Sequence, residues 1–266
     1  MKTRNMIKGV VAAFAGMLSL AGGAEANPTL WLLGDSTVQV DTPGQQGWGT
    51  PLPQFFDLSK IRIRNQAVGG RSSRTFISEG LWEKVRKQLK PGDYLMMQFG
   101  HNDASPINED PPVTKATRAR GTIRSNGEET VEIVNVMTGK PETVHAYGWY
   151  IRKMADEAKT AGVKVIIVSP IPKRGFITGK ARRNGDGYSE LAKQAAARSG
   201  AWFLDLSKII ANKHDVMGEA AATALFDDSV HTTPDGAKFN AQCVVEGLSA
   251  LHDCEIKSYL ANGKNS

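Results

Sequence analysis

The sequence predicts an α/β fold, a three-layer α/β/α sandwich built on a five-stranded parallel sheet. Three observations carry this expectation. Five short apolar runs, at 30–33, 61–64, 94–99, 163–168 and 202–205, have the length of strands. Segments with helical apolar spacing separate most of them, at 80–89, 147–160, 188–198 and 234–251. Such alternation is the pattern of βαβ units, whose crossover helices cover a parallel sheet. The chain is also long enough, at 266 residues with 41% apolar and 23% charged content, to bury one sizeable core.

Taken in order, the chain opens on a segment that does not belong to this fold. Lys2, Arg4 and Lys8 lead an apolar stretch over 10–21, and Ala24-Glu25-Ala26 supplies the small-x-small pattern of a signal peptidase site. The apolar part is too short to span a bilayer, which takes about 20 residues. A signal peptide over 1–26, cleaved after Ala26, is therefore expected, with a periplasmic or secreted protein and a single domain over 27–266. No membrane attachment is expected after cleavage.

The run 30–33 reads as a buried strand. Ile61-Arg62-Ile63-Arg64 alternates apolar and basic residues, as an edge strand does. Helix 80–89 ends at the stop signal Pro91-Gly92. The stretch 104–145 is too long for a simple link and reads as an insertion. It holds Pro106, Pro111 and Pro112, and a hairpin is expected with Ser125-Asn126-Gly127 turning between 122–124 and 130–133. Cys243 and Cys254 sit near the end. On one continuous helix they would lie roughly 16 Å apart, so a disulfide forms only if the helix stops near Leu251 and turns back. Two cysteines do not make a structural zinc cluster. The net charge of +6 suits an acidic partner or simply a solvated basic surface. No run of Lys or Arg with interleaved aromatics points to nucleic acid.

Four segments carry chemistry, and three of them follow strands, where a parallel sheet forms its ligand crevice. Gly34-Asp35-Ser36-Thr37 follows the first strand. Alone it is equally a turn or a helix N-cap, because a serine hydroxyl needs a base to become a nucleophile. Asp228-Ser229-Val230-His231 precedes the last helix. A carboxylate three residues before a histidine can hold Nδ1 and leave Nε2 facing a serine. Asp227 is the alternative carboxylate. Gly69-Gly70-Arg71 follows the second strand and Gly100-His101-Asn102-Asp103 the third. A glycine N–H and an asparagine amide are the donors that an ester-derived oxyanion needs. His101 reads as a positioning or packing residue. Gly-x-Ser-x-Gly is absent, which excludes the ordinary α/β-hydrolase elbow.

In their order, Ser, Gly, Asn, then Asp-x-x-His, these blocks resemble the SGNH or GDSL-like hydrolases, with Thr37 where leucine names the first block. The resemblance implies the flavodoxin-like fold of that superfamily and a serine esterase. It implies Ser36 as nucleophile, Asp228 and His231 as its supporting pair, and an oxyanion hole from Ser36 N–H, Gly70 (or Gly69) and Asn102. Gly47-Trp48-Gly49, the segment from Asn65 to Arg74, Arg118-Ala119-Arg120-Gly121 and Tyr147-Gly148-Trp149-Tyr150 are further similar to the rhamnogalacturonan acetylesterases, including bacterial ones.

That family implies acetylated pectic polysaccharide as substrate and no metal or organic cofactor. Arg71, Arg74 and the basic residues Lys115, Arg118 and Arg120 are candidate counter-charges for its carboxylates, and Trp48 a candidate sugar-stacking ring. Each has an alternative: the arginines can tie down their loop, and Trp48 can be core. Alternatives for the whole chain are an SGNH esterase of another acetylated glycan such as xylan, or a non-catalytic polysaccharide-binding protein. The oligomeric state is not legible.

Overall fold

The computed structural model describes residues 27–109, 118–183 and 187–261. The expected leader, Lys115, Pro111 and Pro112 lie outside them. In chain order the strands are β1 (Thr29–Gly34), β2 (Arg62–Asn65), β3 (Tyr94–Gln98), β4 (Thr130–Val134), β5 (Pro141–His145), β6 (Lys164–Val168), β7 (Phe176–Ile177), β8 (Lys180–Ala181) and β9 (Trp202–Leu204). The helices are α1 (Ser73–Ser78), α2 (Leu81–Arg86), α3 (Tyr147–Thr160), α4 (Tyr188–Ser199), α5 (Leu206–Met217), α6 (Glu219–Ala224) and α7 (Pro234–Ala250).

Five strands pair in parallel in the order β2-β1-β3-β6-β9. Successive side chains of a strand point to opposite faces, so a strand buried on both reads as an unbroken apolar run. Leu30 and Leu32 of β1 join Met96, Ile166 and Leu204 under α5 and α7, through Ile210, Val244 and Leu248. Trp31 and Leu33 join Leu95, Met97, Val165 and Ile167 under α1 to α4, through Phe76, Val85, Ile151 and Ala192. These two apolar layers make the α/β/α sandwich that the sequence predicts. The edge strand β2 alternates too, with Arg62 and Arg64 exposed.

The strand order reverses direction at β1. The chain runs from β1 to β2 on one side and then crosses back to β3, β6 and β9 on the other, so the loops after β1 and β3 diverge and leave a crevice. This is the feature of the fold that positions the site.

Local expectations fare unevenly. The expected helix at 80–89 shortens to α2, which starts after Gly80 with its left-handed φ of 73°, and α1 forms before it, at 73–78, where the sequence reading assigns no helix. α5 and α6 occupy 206–224, where the sequence reading assigns no helix; α5 starts from the N-cap Asp205, whose side chain accepts from Lys208 N, though Asp205 reads as the end of a strand. The expected hairpin of 122–124 with 130–133 does not form. β4 pairs antiparallel with β5 instead, and Ile123 bridges Ala146. The Asn126 amide donates to Leu191 O and Gln194 Oε1 of α4, so Ser125-Asn126-Gly127 is a wedge against that helix rather than a free turn. At the other end α7 stops at Ala250 and Leu251 is extended, yet Cys243 and Cys254 are free thiols buried in one apolar layer.

Candidate active site

Ser36 stands two residues past the end of β1, in a turn in which Val38 and Gln39 N–H both return to the Asp35 carbonyl. The turn is tight. A Cβ on Gly34 would come within 2.5 Å of Val38 Cγ2 and 2.7 Å of Gln98 O, so only glycine fits before it. The turn rests on a buried polar chain. Asp35 Oδ1 accepts from Thr37 N and Oγ1 at 2.8 and 2.7 Å, Gln98 Nε2 donates to Thr37 Oγ1, and Trp48 Nε1 donates to Gln98 Oε1 at 3.0 Å. Trp48 is 1% exposed. Its expected role in stacking on sugar is therefore corrected: an indole inside the core with its N–H spent cannot meet a ligand, and it instead braces the turn that carries Ser36. Gln98, a polar residue closing a buried apolar strand, was the sequence signal for this brace.

His231 reaches Ser36 from 195 residues away, with Nε2 2.8 Å from Oγ. Phe226 pairs with Thr232 in a bridge that closes a tight loop over 227–231. Thr233 caps α7 immediately after, its side chain accepting from Gly236 N, with Pro234 opening the helix. Inside the loop Asp228 Oδ1 accepts from Val230 N and His231 N, both at 2.7 Å, and Oδ2 lies 2.7 Å from His231 Nδ1. Gln46 clamps the loop to the Ser36 side: its N–H donates to Thr232 O and its carbonyl accepts from Thr232 Oγ1, each at 2.8 Å. Asp227 makes no bond to the imidazole; its carboxylate accepts from Gln45 Nε2 at 2.7 Å, and the same amide reaches Asp228 Oδ2 at 3.4 Å. Neither Gln45 nor Gln46 carried a sequence signal.

Burial raises the Asp228 carboxyl, but hydrogen bonds from the His231 ring and from the N–H groups of His231 and Val230 outweigh it and hold its pKa at about 2. An ionised carboxylate only accepts, so the proton of a neutral imidazole sits on Nδ1 and Nε2 accepts from the serine hydroxyl. In this arrangement a base can take the proton of Ser36.

Gly69 and Gly70 border the serine from the loop after β2. A Cβ on Gly69 would lie 3.6 Å from Ser36 Cβ, and Gly70 has the left-handed φ of 79° that favours glycine. The N–H groups of Ser36, Gly69 and Gly70 donate to no other group among the described residues. Asn102, after β3, is nearly buried; its Nδ2 donates to Arg71 O at 3.0 Å, which fixes the amide and leaves its second N–H available. Ser36, Gly69, Gly70, Asn102 and His231 line one cleft of about 870 Å³, together with Gln39 to Pro43, Arg71, Arg118 and Arg120. It lies at the switch point described above.

The arginines divide. Arg74 is 0% exposed: Nε and Nη2 both meet Glu142 at 2.7 Å, and Nη1 donates to Ile107 O and Gly121 O. Its expected contact with substrate is corrected, because its donors already hold the insertion to α1. Arg71 is part exposed in the cleft, paired with Glu79 and donating from Nη1 to Gly69 O at 3.1 Å. Arg120 Nη1 donates to Gly70 O at 2.9 Å, and burial first, then the neighbouring Arg118, pushes its pKa down.

Beneath Asn102, Asp103 is buried and accepts from Ser73 N and Oγ at the start of α1. Burial raises its pKa from 3.8 to about 7, against those hydrogen bonds. A carboxyl raised in the fold favours folding below its unfolded pKa, and that advantage disappears as pH rises to the folded value. Asp103→Asn should therefore gain stability relative to wild type between pH 4 and pH 8, by on the order of 4 kcal/mol for such a shift. Urea midpoints across that range measure it, and parallel curves would contradict it.

Residues 32–239 match the model of the GDSL-like lipase/acylhydrolase family. The chain belongs to that family. It is a carboxylic ester hydrolase. It is 30% identical to the rhamnogalacturonan acetylesterase of Emericella nidulans over 232 residues, 87% of this chain and 88% of that one. To the probable rhamnogalacturonan acetylesterase YesY of Bacillus subtilis it is 28% identical over 84% of this chain and 93% of the relative. Among solved structures, the YxiM protein of Bacillus subtilis superposes with a TM-score of 0.68 at 25% identity, covering 84% of this chain. This chain spans only 56% of the YxiM chain. Within the GDSL-like family the chain thus falls in the rhamnogalacturonan acetylesterase group, as its sequence blocks imply.

Proposed function

We propose that this GDSL-like hydrolase removes acetyl groups from rhamnogalacturonan through a Ser-His-Asp acyl-enzyme mechanism. The observation that carries it is the unbroken line Ser36 Oγ, His231 and Asp228, at 2.8 and 2.7 Å, opening on a cleft whose rim holds Arg71, Arg118 and Arg120. The line supplies the chemistry, and the cationic rim suits a polymer with carboxylates.

In the first half-reaction His231 Nε2 takes the Ser36 proton as Oγ adds to the acetyl carbonyl. The resulting oxyanion is met by Ser36 N–H, Gly70 N–H and the Asn102 amide. Gly70 is favoured over Gly69 because Arg71 Nη1 donates to Gly69 O, the carbonyl of the same peptide unit as the Gly70 N–H. A cation on that carbonyl polarises the peptide and strengthens its N–H as a donor. His231 then gives its proton to the sugar oxygen, which departs as the free hydroxyl. In the second half-reaction a water molecule loses a proton to His231 and attacks the acetyl-serine, releasing acetate and restoring Ser36. The expected leader supports export to the periplasm or medium, where such polymers are met.

Acetate release from native rhamnogalacturonan and from acetylxylan, at equal acetyl content, tests the substrate. The expected kcat/KM for the pectic polymer is more than tenfold higher, a difference of about 1.4 kcal/mol or more. Equal rates, or a preference for xylan, would overturn the pectic reading in favour of the other glycan.

A further inference from the structure

Beyond Arg71 the catalytic cleft continues. A second groove of about 600 Å³ shares Gly70, Arg71, Arg118 and Arg120 with the first and runs between α1 and the turn of the β4–β5 hairpin, ending at Met137 and Lys140. The first cleft alone already matches the size that holds a drug-sized ligand, so an acetyl group and its sugar ring do not need the second.

The hairpin is mounted rigidly. The Arg74 guanidinium, fully buried, grips Glu142 of β5 through two parallel bonds, and Asn135 Nδ2 donates to the same carboxylate. Asn108 bonds both Val134 O and Val136 N at 3.0 Å. A buried arginine is costly unless its partners are well ordered, so this wall is held in one position. On the groove side, the acids are already matched: Glu79 by Arg71 and Glu142 by Arg74. Arg120 and Lys140 form no salt bridge among the described residues, the carboxylates of Asp35 and Asp103 acting on Arg120 only through space, and Arg118 adds a further positive charge beside Arg120. Met137 stands 59% exposed at the same turn. The surface thus combines Arg120 and Lys140, two cations outside any salt bridge among the described residues, with an apolar side chain, which is what the carboxylate and the C–H face of an acidic sugar require.

We propose that this groove is a distal subsite for an acidic sugar residue of the polymer, its carboxylate drawn by Lys140 and the Arg118–Arg120 pair and its ring set against Met137. This rests on the pectic reading above for the enzyme's natural substrate, but its test does not need that reading to hold. Lys140 lies in an exposed turn, so Lys140→Glu should fold, with circular dichroism as the check. Titration of wild-type protein with unacetylated oligogalacturonate, followed by NMR shifts or calorimetry, should show binding that Lys140→Glu weakens roughly five- to tenfold. Binding unaffected by Lys140→Glu, or no binding at all, would overturn the subsite, whichever polymer the enzyme deacetylates. In turnover, the same variant should raise KM for acetylated rhamnogalacturonan by a similar factor with kcat unchanged, and should leave KM alone for that polymer after reduction of its carboxyls to neutral sugars. Equal changes on both polymers would show that charge recognition is not what the groove provides. A failure of the pectic reading has a different mark: acetylxylan preferred in turnover while oligogalacturonate binding still responds to Lys140→Glu.

Discussion

Ser36→Ala should lower kcat for p-nitrophenyl acetate by roughly 10⁴- to 10⁶-fold with an unchanged fold, the span expected when a nucleophile that works as a unit with its base is removed. His231→Ala should cost about as much, and the double variant scarcely more. The reason is that the imidazole only matters as the acceptor of the Ser36 proton, 2.8 Å away, and the hydroxyl is inert without it. Asp227→Ala is the internal control. Its neighbour Asp228 holds His231 Nδ1, while Asp227 is bonded to Gln45, so this variant should keep the wild-type rate. A fluorophosphonate probe should label the wild type and leave Ser36→Ala unmarked. A folded Ser36→Ala protein with undiminished turnover would remove that hydroxyl from the reaction, and a wild type without turnover would favour a polysaccharide-binding protein.

The second large effect concerns stability. Arg74→Ala should destabilise the protein by about 3–5 kcal/mol, because it leaves the Glu142 carboxylate without its bidentate partner in a largely buried place. In a domain of this size that is a fall in Tm of roughly 6–20 °C. Replacing both partners, as in Arg74→Met with Glu142→Leu, should recover most of the loss, since the apolar pair strands no charge. A residue that touched substrate would behave differently, raising KM with little change in Tm. Thermal denaturation of the single and double variants separates the two roles, and a stable Arg74→Ala with raised KM would reinstate substrate contact.

These two cases mark what kinds of residue a sequence can identify. Ser36, Asn102, Asp228 and His231 sit in short blocks whose spacing follows from local backbone chemistry. A carboxylate three residues ahead of a histidine meets Nδ1 within one loop, and a glycine precedes a serine where the strand must turn sharply. Arg74 and Trp48 sit in equally suggestive blocks, but both are buried and their polar atoms are spent inside the protein. A guanidinium or an indole suits a ligand and a core equally well; only the partners that folding brings distinguish them.

The same division holds for the fold. By itself the sequence determined the sheet, because strands buried on both faces must be continuously apolar, and the edge strand, because one with a wet face must alternate. It determined the blocks that meet in the candidate site, since each is built from neighbours in the chain. The tertiary structure decided what depends on contacts between distant segments. It chose β5 over 122–124 as the partner of β4, joined Gln46 to Thr232 across 186 residues, and opened a groove beside the hairpin. Local chemistry is written in adjacent residues, whereas a pairing across the molecule is chosen by competition among surfaces that exist only once the chain has folded.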